Sequence, residues 1–280
     1  MTTHSAKLLD GTLLAKDRRR AVKERLALIR KKLTLATLQV GESNDIALYR
    51  DYLKNLSDQL GFHVHHRSLA ADANENKVLG EIASLNAAPA FTGIMVFSPL
   101  PRSLDSSHIL DAINPHKDVE GRTFLKSHHG VFSPTANAAM LLIESAGRRL
   151  NGLKAVVIGH SDLVGKPIAV LLMDKMATVT VCHAETRDLA AHVAEADIVV
   201  AAVGKPGIVK GAWIKSGAIV IDVGENVVDG KITGDVEFDA AHERADFITP
   251  VPGGVGPLTN VVLVENLIRL HELEQRRGNR

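Results

Sequence analysis

The sequence predicts an α/β protein, and three observations carry the prediction. Apolar strand-like runs alternate with amphipathic helical runs through residues 33–97. The alternation restarts near residue 154 and continues to about residue 250. A glycine-punctuated turn, "VVIGHSDLVGKP" (156–167), joins the first strand of that second series to a helix. Such alternation implies parallel strands with right-handed crossovers, and the second series has the pattern of a doubly wound, Rossmann-type sheet. A chain of 280 residues can bury one large core or two modest ones.

Residues 12–32 read as a charged amphipathic helix with Leu13, Leu14, Val22, Leu26 and Ile29 toward a core. "LTLATLQVG" (33–41) is a strand ending on Gly41. "ALYRDYLKNLSDQLG" (47–61) is helical, with an apolar stripe of Tyr49, Leu53, Leu56 and Leu60 and a C-cap at Gly61. "FHVHHRSL" (62–69) is a strand, "ENKVLGEIASLNA" (75–87) a helix, and "FTGIMVF" (91–97) a buried strand ending at "SPLP". "PTANAAMLLIESAG" (134–147) is a long apolar helix expected to bridge two domains. "KAVVIG", "VGKPIAVLLMDK", "ATVTVCH", "DLAAHVAEA", "DIVVAAVG", "AIVIDVG" and "DFITP" then alternate strand and helix. The C-terminal "TNVVLVENLIRLHELEQRR" is an amphipathic helix able to return to the first domain. The expected domains are 1–137 joined by helix 259–280, and 138–258.

A net charge of +1 gives no electrostatic case for nucleic acid or a membrane surface. The single cysteine, Cys182, excludes an internal disulfide framework and fits a reducing compartment. With no apolar leader in "MTTHSAKLLDGTLLAKDRRR" and no run of transmembrane length, the expected location is cytoplasmic. "HVHH" (63–66) lacks a carboxylate or cysteine at convincing spacing, so no metal is expected. "HH" (128–129) reads as a surface loop, and "GDVEF" (234–238) as a structural turn after a hairpin at Asp229-Gly230.

Three loops carry chemistry. In "VVIGHSDLVGKP" a strand runs into Gly159 and a helix opens near Gly165. A glycine there allows a tight turn beside a pyrophosphate, and the helix N-terminus offers N–H groups to an anion. "ITPVPGGVGPLT" (248–259) is stiff at its prolines and open at its glycines, which suits a backbone lying close to a flat ligand. "DVGEN" (222–226) puts Gly224 at the end of a buried strand, where ligands gather in such sheets.

These and further segments carry a family resemblance. They are "LLDG" (8–11), "VG" (40–41), Tyr49, "SPLP" (98–101), "KDVEG" (117–121), "GHSDLVGKP" (159–167), "TVTVCHAET" (178–186), "AVGKPG" (202–207), "GAIVIDVG" (217–224) and "TPVPGGVGPLT" (249–259). Over nearly its whole length the chain resembles the bifunctional methylenetetrahydrofolate dehydrogenase/methenyltetrahydrofolate cyclohydrolase family. The resemblance implies two α/β domains around a cleft, a folate substrate in the N-terminal half, a nicotinamide cofactor on the C-terminal half, and a homodimer. It implies catalytic roles for Tyr49 and Glu120. Substrate contacts follow at Tyr49, Leu53, Phe97, Pro99, Leu100, Glu120, Pro252, Gly253 and Gly254. Cofactor contacts follow at Gly159, His160, Ser161, Val164, Gly165, Pro167, His183, Ala184, Val203, Gly204, Gly224 and Thr259.

The chain departs from the family in its folate half. The family carries a lysine four residues after the tyrosine, and Leu53 stands there. The glutamine that partners this lysine is Phe97, the aspartate of "DVDG" is Glu120, and Pro-Ala-Ser after "VG" is Asn44-Asp45-Ile46. Lys54 is five residues from Tyr49, off its helix face, and reads as a solvated lysine. The expected activity is therefore NAD(P)-dependent oxidation of methylenetetrahydrofolate with little or no hydrolysis of the product. The alternatives are a fully bifunctional enzyme and a non-catalytic folate- or nucleotide-binding relative. Family frequency favours NADP, with Lys166 and Arg187 available to its 2′-phosphate. Glu185, able to meet a free ribose hydroxyl, leaves NAD open.

Overall fold

The computed structural model describes residues 5–127 and 130–278; the histidine pair at 128–129 lies outside them. In chain order the elements begin with β1 (Lys7–Leu8), α1 (Gly11–Leu28), β2 (Thr34–Val40), α2 (Asn44–Leu60), β3 (His63–Leu69), α3 (Glu75–Ala87) and β4 (Gly93–Val96). Short helices α4 (Ser106–Asp111) and α5 (Phe124–Ser127) precede α6 (Pro134–Ser145). Then come β5 (Lys154–Ile158), α7 (Gly165–Asp174), β6 (Thr178–Cys182), α8 (Leu189–Glu195), β7 (Ile198–Ala201) and β8 (Ile219–Asp222). The hairpin β9 (Asn226–Val228) and β10 (Lys231–Thr233), α9 (Phe238–His242), β11 (Phe247–Ile248) and α10 (Val255–Gly278) complete the chain.

Two compact units result. The first comprises residues 5–17 and Ser133–Val262; the second comprises Arg18–Phe132 and residues 263–278. These limits differ from the sequence-based ones for two physical reasons. Strand β1 pairs in parallel with β11, which draws the N-terminal segment into the C-terminal unit. Helix α6 is not a bridge: it packs on α7 and β8. Its buried Ala136, Ala139, Leu142 and Ile143 belong to that unit.

The first unit holds a six-stranded parallel sheet in the order β1-β11-β8-β7-β5-β6. The strand order reverses beside β5: β6 lies on one side and β7 on the other. That reversal is the switch point at which such sheets bind ligands, outside the carboxyl ends of the strands. Strands β7 and β8 are buried along their whole length, as a sheet covered on both faces requires. Asp229 and Gly230 take φ of 50° and 75° in the turn of the β9–β10 hairpin.

The second unit holds a three-stranded parallel sheet in the order β3-β2-β4. Alternation gives β2 two faces. Ala36, Leu38 and Val40 join the core with Val78, Ile82 and Leu85 of α3, while Thr37 and Gln39 point the other way. Helix α2 is capped by the Ser43 side chain and ends on Gly61 in the left-handed conformation. Arg18 of α1 forms a bidentate pair with Glu265 of α10, both bonds 2.9 Å. Asn266 donates to the carbonyls of Val119 (2.9 Å) and Phe132 (2.8 Å). Along α1 the buried hydrophobic side chains are Ala15, Val22 and Leu26. Leu13, expected inside, is 62% exposed, because two residues along a helix is about 200° of rotation away from Ala15.

Candidate functional site

In the first unit the turn after β5 is built by close backbone approach. Gly159 has φ 113°, and a Cβ there would run into the carbonyl of Ala202, just beyond β7. A Cβ on Gly165 would run into the carbonyl of Gly159. The two glycines thus let the β5 turn fold against both the next strand's end and its own helix. Ser161 Oγ accepts long bonds from Val164 N (3.2 Å) and Gly165 N (3.4 Å), and Pro167 carries no N–H. This bare strand-to-helix turn at the switch point fits the pyrophosphate of a dinucleotide.

His160 and His183 end adjacent strands, are both exposed, and bring their rings to 5.3 Å. His183 N donates to Thr186 Oγ1 at 2.8 Å, which shapes the turn carrying exposed Ala184 and Glu185. Lys166 pairs with Asp162 in the same turn. Val203 and Gly204 follow β7, where Gly204 has φ 70° and open space beyond its Cα. The Pro252–Gly254 loop belongs to this unit as well. Gly253 O accepts from Gly11 N (2.9 Å) and Thr12 N (3.2 Å), so the "LLDG" segment supports that loop. Thr259 Oγ1 is spent on its own helix, donating to Val255 O at 3.2 Å.

In the second unit two of the expected folate residues, Tyr49 and Phe97, meet ring to ring. Phe97, 4% exposed, meets Tyr49 edge-on with centroids 6.0 Å apart. Tyr49 stacks on Tyr52 at 6.2 Å, and Tyr52 accepts from Arg19 at 3.1 Å. Leu53 is fully buried, Leu100 is 7% exposed, Pro99 is exposed, and Lys54 faces solvent. Burial, then the charge of Glu120, pushes the Tyr49 phenol well above its usual value, so its hydroxyl stays protonated and acts as a donor rather than a base. Burial also raises the carboxyl of Glu120, against the opposing pull of Arg122, whose Nε lies 3.3 Å from Oε2.

Sequence reasoning missed three groups. Arg122 pairs with Glu120, two residues on in a turn that periodicity cannot resolve. His66 puts Nδ1 3.0 Å from Thr37 Oγ1 and its ring 6.0 Å from Phe97, and burial, then Arg50, lowers its pKa. Asp235, inside the "GDVEF" turn, is fully buried beneath the loop after β7. Among the described residues no group of three or more His, Cys, Asp or Glu could hold a metal ion, and no helix is long and apolar enough to cross a membrane.

Two outcomes follow from the first unit. Gly165→Val should abolish binding of NADP and NAD in calorimetry, because the side chain has no room against Gly159; undiminished affinity would remove the turn from the site. Asp222, 4% exposed, has its carboxyl pushed up to about 6 by burial. The folded protein therefore holds that proton more tightly than the unfolded chain does. The resulting stability is present below about pH 4 and is lost as pH rises through about 6, on the order of 3 kcal/mol in all. Urea unfolding of the parent against Asp222→Asn should show the parent gaining relative stability on acidification from pH 7 to 4; a relative loss would contradict this.

The chain matches known proteins over both units. Residues 9–120 match the family described as tetrahydrofolate dehydrogenase/cyclohydrolase, catalytic domain. Residues 133–275 match its NAD(P)-binding domain. The bifunctional protein FolD 2 of Geobacter metallireducens is 42% identical over 273 residues, covering 93% of this chain and 95% of that protein. The crystal structure of the bifunctional FolD enzyme of Campylobacter jejuni superposes with a TM-score of 0.92 at 32% identity, covering 96% of this chain and all (100%) of that one. The FolD of Trypanosoma brucei, solved with NADP and an inhibitor, gives 0.91 at 35% identity, covering 97% and 99%. These names favour the bifunctional reading over the dehydrogenase-only expectation. The chain is an enzyme of the tetrahydrofolate dehydrogenase/cyclohydrolase family.

Proposed function

We propose that this enzyme oxidises 5,10-methylenetetrahydrofolate to 5,10-methenyltetrahydrofolate, and that its hydrolysis of the product is weak. The observation that carries the second half is the apolar pair: Leu53 is fully buried and Phe97 is 4% exposed, while Lys54 faces solvent. In this reading the chain is a divergent member of its family, lacking the lysine and its glutamine partner, and works as a cytoplasmic homodimer.

The two reactions ask for different things. Oxidation removes a hydride from the carbon bridging two folate nitrogens, and the cation left behind is delocalised over both. No base is needed at that carbon; alignment is. The nicotinamide, when bound, supplies the hydride acceptor. Gly159, Ser161, Gly165, Gly204 and Gly224 would hold the dinucleotide, with NADP preferred on the strength of the Trypanosoma brucei complex. Glu120 would accept two hydrogen bonds from the pterin edge when ionised, and Arg122, 3.3 Å away, partly offsets the burial that raises its carboxyl. The Tyr49 hydroxyl would orient the ring. Hydrolysis instead adds water and opens a ring, which moves protons and needs a positioned acid or base.

The second reading is full bifunctionality, favoured by the names of the relatives. Its proton carrier would be sought at His66, beside Phe97, which burial keeps in the neutral form that a base requires.

Purified protein assayed with methylene- and methenyltetrahydrofolate separately decides between them. Lys54→Ala should leave hydride transfer within a few-fold of the parent. Hydrolysis should start near background and rise in the double variant Leu53→Lys with Phe97→Gln, since a positioned proton carrier is typically worth about 100- to 10,000-fold. Leu53→Lys alone should do less, because the ammonium would face Phe97 unpaired. Brisk hydrolysis in the parent would establish the second reading, and its collapse in Lys54→Ala would make that lysine the carrier. Glu120→Gln should weaken folate binding by on the order of 2–4 kcal/mol; unchanged folate affinity and turnover would take Glu120 out of the site.

A further inference from the structure

Two buried carboxylates stand in series at the carboxyl ends of β7 and β8. Asp222, the last residue of β8, accepts from Gly224 N (3.0 Å) and Asp235 N (2.9 Å) on Oδ1, and from Val236 N (2.9 Å) on Oδ2. Asp235 then reaches forward. Its Oδ2 accepts from Val203 N (2.6 Å) and Gly204 N (2.9 Å), and its Oδ1 from Lys205 N (2.8 Å) and Asn226 Nδ2 (3.0 Å). The arrangement leaves no room for side chains: a Cβ on Gly224 would strike the Asp235 carboxylate, and one on Gly234 would strike that of Asp222. Asp235 is fully buried.

Three successive N–H groups converging on one anion form a backbone nest, the geometry that elsewhere cradles phosphate. Here the anion is the protein's own. The loop so held flanks the switch point, since Ala202 at its start lies against Gly159 of the β5 turn. Val203 is 44% exposed, and Gly204 and Lys205 are exposed too, so the face of the loop away from Asp235 is open.

We propose that Asp235 is a positioning residue for the dinucleotide: it fills the nest of residues 203–205, fixes the loop after β7 against the β5 turn, and keeps a phosphate from binding there. The pyrophosphate is thereby directed to the turn at Gly159–Gly165, and the β7 loop meets the ligand with its outward face rather than its N–H groups. This inference rests on the assignment of the 203–205 loop to the dinucleotide.

The test uses the full-length chain, with NADP and NAD affinity read by calorimetry and folding by thermal unfolding. Asp235→Ala should weaken both dinucleotides at least about ten-fold, as loss of a buried charged acceptor does. Added formate, a carboxylate small enough for the vacated space, should restore most of that affinity in the variant and leave the parent unaffected. Val193→Ala, a core truncation in α8, serves as the control for general destabilisation and should show neither effect. Affinity within two-fold of the parent in Asp235→Ala would overturn the proposal. So would a loss that formate does not reverse. If Asp235→Ala does not fold, Asp235→Asn, which keeps the volume and one acceptor, should give an intermediate loss; unchanged affinity there overturns it equally. A parent that binds neither dinucleotide would instead overturn the reading of the loop itself.

Discussion

Close approach of main chain to main chain at the carboxyl ends of β5, β7 and β8 governs the dinucleotide unit. The parallel sheet brings these ends side by side, and each must turn sharply. Gly159 can lie against Ala202, and Gly165 against Gly159, only because neither carries a Cβ. The same crowding admits the carboxylates of Asp222 and Asp235 behind the loops. Buried carboxylates are costly unless their oxygens are hydrogen-bonded. These two are surrounded by backbone N–H donors that the turning strands would otherwise leave without partners. Sharp turns and buried anions are thus two halves of one arrangement: the turns expose N–H groups and the carboxylates satisfy them.

The folate-half unit is governed by a different balance. Leu53 and Phe97 stand where the family resemblance leads one to expect a lysine and a glutamine. Here both positions are buried and apolar, and Phe97 packs edge-on against Tyr49. Apolar residues at both buried positions are self-consistent, because a lysine buried at position 53 without a polar partner would be desolvated. It is also consistent with hydride removal, which depends on alignment. It is hardest to reconcile with the cyclohydrolase activity that the family description and the name of the Campylobacter jejuni enzyme carry. The contrast with those names makes position 53 the informative one in this chain, and it makes His66, tied to Thr37 across the β2–β3 register, the polar neighbour of most interest.

Much of this was legible in the sequence. Periodicity gave α3 to the residue, the parallel strand series, and the buried stripe of α2 through Leu53, Leu56 and Leu60. Those features are local: side-chain period and capping chemistry are set by neighbours within about four residues. The glycine turn at 159–165 was equally readable, because tight turns demand particular residue types. Tertiary structure alone decided the rest. Strand pairing drew β1 to β11 and thereby placed residues 5–17 in the C-terminal unit. Folding also joined Asp235 to the loop 30 residues before it, and Asp222 to Asp235 across a hairpin. "GDVEF" therefore reads as a plain acidic turn in one dimension. Its hydrogen-bond partners are the N–H groups that folding brings within reach of its carboxylate, and sequence spacing carries no record of that distance.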